Sequence, residues 1–180
     1  HMSYIDGTGT VVWEIDTAIV DPILKVDGNY ILIAEKGRNK ICLYIDNKLQ
    51  YDVDDPDTVM SAELSSNGDV VVVTDKSSYR GGISVYNKSG EQIFSWASGS
   101  DAVICADISA ASRSVAVALL NSDVTAKTTV QLFNVNETES YAKIEMPDTV
   151  VYELQFVGDK VNAFGDNRVT GISSSGKIVY

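Results

Sequence analysis

The residues best suited to chemistry in this sequence are four carboxylates that lie close together along the chain. Asp52, Asp54 and Glu63 fall at positions one, three and twelve of the calcium-loop spacing, and Asp57 stands where that pattern requires glycine. Hard cations such as Ca²⁺ bind several carboxylate and carbonyl oxygens of a tight loop, although Pro56 at position five departs from the pattern. The alternative is a solvated turn whose aspartates bond their own backbone. The sequence thus offers one candidate calcium site, at Asp52, Asp54, Asp57 and Glu63.

The scarcity of histidine narrows the catalytic chemistry that is open to this chain. His1 is the sole histidine, and the pair His1-Met2 resembles a cloning remnant. Without an imidazole, neither a Ser–His nor a Cys–His nucleophile can be assembled. We therefore expect no enzyme, no catalytic residue and, apart from calcium, no cofactor. One enzymatic alternative stays open, a hydrolase or lyase that uses two carboxylates as acid and base.

Two polar segments, residues 75–82 and 121–128, are the predicted binding surface. Loops on a rigid scaffold commonly carry recognition, although solvated connectors would look the same in sequence. The candidate binding residues are Asp75, Tyr79, Arg80, Asn121, Asp123 and Lys127. Trp13 and Trp96 invite a carbohydrate platform, but their equivalent places in the repeat described below favour packing between neighbouring units.

Composition and charge exclude several classes of protein. The chain of 180 residues is 44% hydrophobic and 22% charged, which is typical of a folded chain rather than a disordered one. The net charge of −11 argues against nucleic acid as a partner, since such binding depends on clustered Lys and Arg. Cys42 and Cys105 each lie between apolar neighbours and are expected to be free core thiols.

A fourfold repeat indicates the elements that must position these residues. The same phrase, an Asp before a small apolar cluster, recurs at Asp21, Asp57, Asp101 and Asp148, with spacings of 57−21 = 36, 101−57 = 44 and 148−101 = 47. These values are near the roughly 40–50 residues of a propeller blade. An all-β sandwich has similar strand spacing but does not predict the recurring phrase. We interpret the Asp as structural, accepting backbone N–H bonds where one blade leads to the next.

The second copy shows the predicted blade most clearly. Residues 60–64 alternate between apolar and polar side chains, as a half-buried strand does. Asn67-Gly68 predicts a two-residue hairpin turn, and the apolar run 70–73 predicts a strand covered on both faces. Segments 83–86 and 92–96 complete an antiparallel meander.

We predict an all-β protein: a β-propeller, or propeller fragment, of about four four-stranded antiparallel blades plus a leading half blade. Each small sheet needs neighbours to cover its apolar faces. The predicted boundaries are 1–2 for the remnant, 3–19 for the last two strands of a preceding blade, and 20–56, 57–100, 101–147 and 148–180 for the four blades. Four blades and a half do not make a whole number, which favours a homodimer that completes a larger ring over a closed ring of four blades.

Three stretches carry a resemblance to a known group of proteins. Residues 6–13 (DGTGTVVW) resemble the blade signature of quinoprotein-type propellers. Together with 27–37 (DGNYILIAEKG) and 65–72 (SSNGDVVV), they make the chain similar to an uncharacterised family of bacterial propeller-like proteins with quinoprotein- or WD40-like repeats. The resemblance covers roughly residues 4–135 well and the fourth repeat weakly.

The resemblance implies an extracytoplasmic protein of the bacterial cell envelope, anchored to the membrane by a segment outside this sequence. Members of that family are longer than this chain, and the resemblance supplies no catalytic residues. Because no vicinal cysteine pair is present, we reject a quinone cofactor. The predicted function is a non-enzymatic binding or scaffolding module that engages protein or glycan through its loop surfaces.

Overall fold

The computed structural model describes residues 1–16, 18–123 and 125–180. Thr17, in the predicted half blade, and Val124, in the predicted loop 121–128, lie outside the described residues. The described parts of the chain contain β-strands and turns only. Within them, no helix has the length and apolar character that crossing a membrane requires.

The described strands group into five sheets, a half blade and four blades. The half blade comprises β1 (Met2–Ile5) and β2 (Val11–Ile15). Blade 1 comprises β3 (Pro22–Asp27), β4 (Tyr30–Glu35), β5 (Lys40–Ile45) and β6 (Lys48–Asp54). Blade 2 comprises β7 (Thr58–Leu64), β8 (Val70–Asp75), β9 (Gly82–Tyr86) and β10 (Gln92–Ala97). Blade 3 comprises β11 (Ala102–Ile108), β12 (Ser114–Asn121), β13 (Lys127–Asn134) and β14 (Ala142–Pro147). Blade 4 comprises β15 (Val151–Val157), β16 (Lys160–Gly165) and β17 (Val169–Ile172).

Each sheet is an antiparallel meander in chain order, as predicted. Blade 4 differs from the prediction, because its sheet has three strands and not four. The segment 178–180 forms no named strand, although it joins β17 through an isolated bridge between Ile172 and Ile178 and through two backbone hydrogen bonds. The Gly171 N–H donates to the Tyr180 carbonyl at 3.1 Å, and the Val179 N–H donates to the Gly171 carbonyl at 2.8 Å.

The valine run of β8 explains how blades stack. Val70 and Val72 pack in the cluster shared with blade 1, while Val71 and Val73 pack in the cluster shared with blade 3. All four side chains are buried, which confirms the prediction of a strand covered on both faces. Successive side chains of a strand point to opposite faces, so an uninterrupted apolar run is what two covered faces require.

The half blade covers the first face of blade 1. Trp13 and Ile15 pack against a buried cluster that includes Ile33 and Tyr44, and the rings of Trp13 and Tyr44 meet edge to face with centroids 5.3 Å apart. Among the described strands, β1 and β2 form a sheet of their own that hydrogen-bonds to no strand of blade 4. No shared sheet therefore closes the array into a ring.

The predicted two-residue turn at Asn67-Gly68 is wrong in its length. The loop spans residues 65–69, with the Ser65 N–H donating to the Asp69 carbonyl at 2.9 Å. Only Gly68 has a positive φ (85°), while the Asn67 Oδ1 accepts the Asp69 N–H at 3.1 Å. The asparagine thus acts through its side chain, which bonds the backbone two residues on, and not through left-handed backbone.

Candidate functional site

A cavity of about 740 Å³ opens where the four inner strands β3, β7, β11 and β15 approach one another. Its rim is formed by the loops that follow three of these strands, at residues 65–66, 109–111 and 158. The volume falls in the range of about 300–1,000 Å³ that is common for ligand sites. Each blade contributes its innermost strand, so the cavity exists only because the blades converge.

An ion pair between blades 1 and 2 lies at one side of this cavity. The Lys25 Nζ on β3 donates to the Glu63 Oε1 on β7 at 2.7 Å. About 40% and 36% of the two side chains remain exposed to solvent, so both can still meet a ligand. A pair this exposed contributes little to stability, because water screens it.

Asp107 on β11 is the deepest acid of the cavity. Its Oδ2 accepts the backbone N–H of Phe156 on β15 at 2.6 Å, which joins blades 3 and 4. Burial raises the pKa of this carboxyl to about 6, and the negative charge of Glu63 adds to the rise, whereas the Phe156 and Ile108 N–H groups and Lys25 oppose it. The cavity therefore holds a carboxyl that changes charge near neutral pH.

The remaining wall of the cavity is polar and mostly acidic. Asp27 and Glu153 add two carboxylates to Glu63 and Asp107, and Lys25 is the single cation among the lining residues. Gln155 and the exposed Tyr152 complete the β15 side. The cavity therefore attracts a basic group of a ligand more strongly than an acidic group.

Sequence reasoning did not single out Lys25, Asp107 or Glu153, although a signal was present. Each of these residues is a polar side chain in the first strand of its blade, where it interrupts the apolar pattern and faces the inner-strand cavity. Strand alternation shows that such a side chain leaves the core, but the neighbours that it meets come from other repeats.

The structure does not bring the four predicted calcium ligands together. The Lys40 Nζ lies 2.5 Å from Asp52 and 3.9 Å from Asp54, both on β6. Asp57 lies 3.2 Å from Lys76, while Glu63, on the inner strand β7, bonds Lys25 in the cavity. Among the described residues, no group of three or more His, Cys, Asp or Glu side chains is arranged to hold a metal. The geometry gives calcium at these residues no support, because each carboxylate is engaged by a lysine.

The predicted binding loops lie at the opposite end of the blades from the cavity. Tyr79 is exposed, but the backbone of Arg80 is held on both sides. Its N–H donates to the carbonyl of Ser98, directly after β10, and its carbonyl accepts the Val103 N–H of blade 3. Asp75, at the end of β8, is exposed and lines a separate, shallower hollow.

In the second loop, Asn121 and Lys127 are engaged by other residues. The Asn121 amide donates to Asp101 at 2.9 Å and its oxygen accepts the Asp123 N–H at 3.1 Å. Lys127 lies 3.4 Å from Glu145.

The recurring aspartates do not share one partner. Asp57 pairs with Lys76, whereas Asp101 accepts the Asn121 amide. The recurring Asp is expected to accept a backbone N–H between two blades. Between blades 1 and 2 that acceptor is Asp55, whose Oδ1 accepts the N–H of Asp57 at 2.8 Å. A residue two positions earlier thus closes the turn.

Both cysteines are free, as predicted. Cys42 is buried and Cys105 is half-buried. Burial raises the pKa of Cys42 to about 11 and that of Cys105 to about 12, because the thiolate loses its hydration. Neither thiol has the character of a nucleophile.

A family model described as a family of unknown function, DUF5711, matches residues 1–179. The chain belongs to this family. No curated protein matches it. The resemblance drawn from the sequence is thereby confirmed at the level of an uncharacterised family, while the membrane anchor and the quinoprotein-type repeats stay predictions.

Solved structures establish the fold of this DUF5711 chain. The computationally designed Ika4 protein superposes with a TM-score of 0.63 and 14% identity, over 88% of this chain and 93% of Ika4. BamB from Moraxella catarrhalis gives a TM-score of 0.63 at 12% identity, over 96% of this chain and 56% of BamB. Hsv2p from Kluyveromyces lactis gives 0.65 at 10% identity, over 93% of this chain and 53% of Hsv2p. These are β-propellers, so the predicted propeller fragment is confirmed, and the chain spans about half the length of BamB and Hsv2p.

Proposed function

We propose that this chain is a non-enzymatic binding or scaffolding module of the bacterial cell envelope, and that it holds a protein partner at the inner-strand cavity. The observation that carries the proposal is the convergence of four blades on one open, acidic cavity. A partner that presents a Lys or Arg side chain would meet the half-buried Glu63 and the exposed Glu153. The envelope location rests on the family resemblance of the sequence.

Rigid attachment of the lining residues also favours binding. Glu63 and Asp107 sit within strands that are hydrogen-bonded on one side to the next strand of their blade. Their positions are therefore fixed before a partner arrives, which lowers the entropic cost of association. An exposed Tyr152 at the edge of the cavity adds an aromatic surface of the kind that is enriched at interfaces.

Site-specific photocrosslinking tests this proposal. A photoreactive phenylalanine analogue replaces Tyr152 at the cavity or, as a control, the exposed Tyr141 at the outer rim, and each protein is irradiated with a bacterial envelope fraction. We expect a discrete protein adduct from position 152 that is absent from position 141. Glu153→Lys should abolish that adduct, and Glu137→Lys, an exposed site away from the cavity, should not. Equal adducts from both positions, or an adduct that survives Glu153→Lys, would refute a partner at the cavity.

A second candidate is a hydrolase or lyase that uses paired carboxylates. Asp107, with a pKa of about 6, and Glu63 line the same cavity, and two acids in unlike environments are what acid–base catalysis needs. A screen with glycoside and ester substrates tests it. Turnover that is lost in both Asp107→Asn and Glu63→Gln would establish the enzyme, whereas turnover unchanged by these substitutions would reject it.

Pairing of two copies into a larger ring is the proposed form of assembly. It is supported by an array that no shared sheet closes among the described strands. Light scattering at micromolar concentration should give twice the monomer mass of 19.5 kDa. A monomer mass at all concentrations would argue against pairing.

A further inference from the structure

A second groove, with a volume of about 520 Å³, lies at the outer rim between blades 2 and 3. One wall is β10 with the crossover after it, and the other is formed by β13, β14 and the loop that joins them. The groove is separate from the inner-strand cavity, and the two share no lining residue.

Trp96 provides an aromatic wall of this groove. Its ring lies against the buried ring of Phe133, with centroids 5.1 Å apart and an interplanar angle of 49°. That contact confirms the prediction that Trp96 packs between blades. The side chain is nevertheless only half-buried and lines the groove, and its indole N–H has no hydrogen-bond partner among the described residues. This N–H is not among the buried polar atoms that lack a partner, so it is accessible to solvent and can donate to a ligand.

Polar groups with spare hydrogen-bonding capacity surround the indole. The Asn121 amide holds the Asp101 Oδ1 at 2.9 Å, which fixes this carboxylate and leaves its second oxygen for a ligand. Gln131 is half-buried and stands opposite Lys143 in the β13–β14 register. Within the described parts of the chain, neither of these two side chains has a hydrogen bond or ion pair. A half-buried amide offers two donors and an acceptor to whatever enters the groove.

We propose that this groove binds a neutral oligosaccharide. A sugar ring has an apolar C–H face, which can pack against the indole of Trp96. Its hydroxyl groups can hydrogen-bond to the Asp101 carboxylate and to the Gln131 amide, each of which has two polar atoms. The chain carries a net charge of −11, so an acidic polysaccharide would be repelled. The inference does not depend on the partner proposed for the inner-strand cavity, and each can fail without the other.

Tryptophan fluorescence gives a direct test, because Trp13 and Trp96 are the only tryptophans of the sequence. In a Trp13→Phe background the emission reports on Trp96 alone. The probes are the tetrasaccharides of β-linked glucose, α-linked glucose and β-linked N-acetylglucosamine, with polygalacturonate as the acidic comparison. We expect at least one neutral probe to change the Trp96 emission with saturation at or below millimolar concentration, and polygalacturonate to have no effect.

Two substitutions separate the groove from unspecific binding. Gln131→Ala should lower the affinity for the neutral oligosaccharide about tenfold, because the ligand loses a hydrogen bond in a partly buried site. Gln155→Ala, the matched change in the inner-strand cavity, should leave the affinity unchanged. Calorimetry with Trp96→Leu should show an affinity at least tenfold below that of the parent protein. Circular dichroism checks that each variant is folded. Absence of saturable binding for all three neutral probes, or equal losses in Gln131→Ala and Gln155→Ala, would overturn the proposal.

Discussion

Replacing the Asp107 carboxyl by an amide should stabilise the protein at neutral pH. Asp107→Asn keeps the size of the side chain and an oxygen that can accept the Phe156 N–H, which now lies 2.6 Å from the carboxylate. It removes a negative charge that burial makes unfavourable. The gain should be absent in acid, where the native Asp107 is already neutral.

The magnitude follows from the pKa. A rise from 3.8 to about 6 corresponds to about 3 kcal/mol, at about 1.36 kcal/mol for each pKa unit. This value is an upper bound, because Asp107 is only partly enclosed and water screens part of the effect.

The direction with pH is fixed by proton linkage. Between the unfolded and folded pKa values the folded state binds more protons than the unfolded state, so this residue lowers the free energy of unfolding as pH rises from about 4 to about 6. Above that range its contribution is constant. The stability difference between Asp107→Asn and the parent protein should thus grow from about 0.5 kcal/mol at pH 4 to about 2–3 kcal/mol at pH 7.5.

Urea unfolding between pH 4 and pH 8, followed by tryptophan fluorescence, measures this difference directly. Taking the difference between variant and parent cancels the titration of the other carboxylates. Glu153→Gln is the matched control, since this exposed acid lines the same cavity and should change stability by less than about 0.5 kcal/mol. A difference for Asp107→Asn that does not vary with pH, or a net loss of stability at pH 7.5, would refute the role assigned to burial.

Two further predictions concern the core between blades 1 and 2. Tyr86→Phe should lower the free energy of unfolding by about 2 kcal/mol, because the Tyr86 hydroxyl donates to the buried Asp55 at 2.7 Å. Tyr51→Phe should be neutral or stabilising, since the buried Tyr51 hydroxyl has no hydrogen-bond partner among the described residues. Urea melts of both variants that show equal losses would contradict this account. Gly90→Ala should destabilise by about 2 kcal/mol more than Gly28→Ala, because a Cβ at Gly90 would lie 2.8 Å from the Tyr51 ring, whereas nothing lies within 4 Å of one at Gly28. Both glycines have positive φ, so the backbone strain is common to the pair, and similar melting temperatures for the two variants would show that the contact with Tyr51 is unimportant.

The strand pattern of blades 1 to 3 could be predicted because its signals are local. The alternation of residues 60–64 and the run 70–73 depend only on which faces of one strand are covered. The turn at Gly68 was located correctly but given the wrong length, since the competing side-chain bonds of Asn67 are not visible in a dipeptide pattern. The calcium hypothesis failed to find support for a related reason: spacing placed the four carboxylates together, but it could not show that each would lie beside a lysine.

The sequence by itself determined the repeat, the class of fold and the stacking of apolar strands, because each depends on residues a few positions apart. Only the tertiary structure decided which polar side chains meet. Lys25, Glu63 and Asp107 are separated by 63−25 = 38 and 107−63 = 44 residues, and they share a cavity because successive blades turn their inner strands toward one another. The pKa of Asp107 is likewise a property of that convergence, since the burial that raises it comes from strands of several blades.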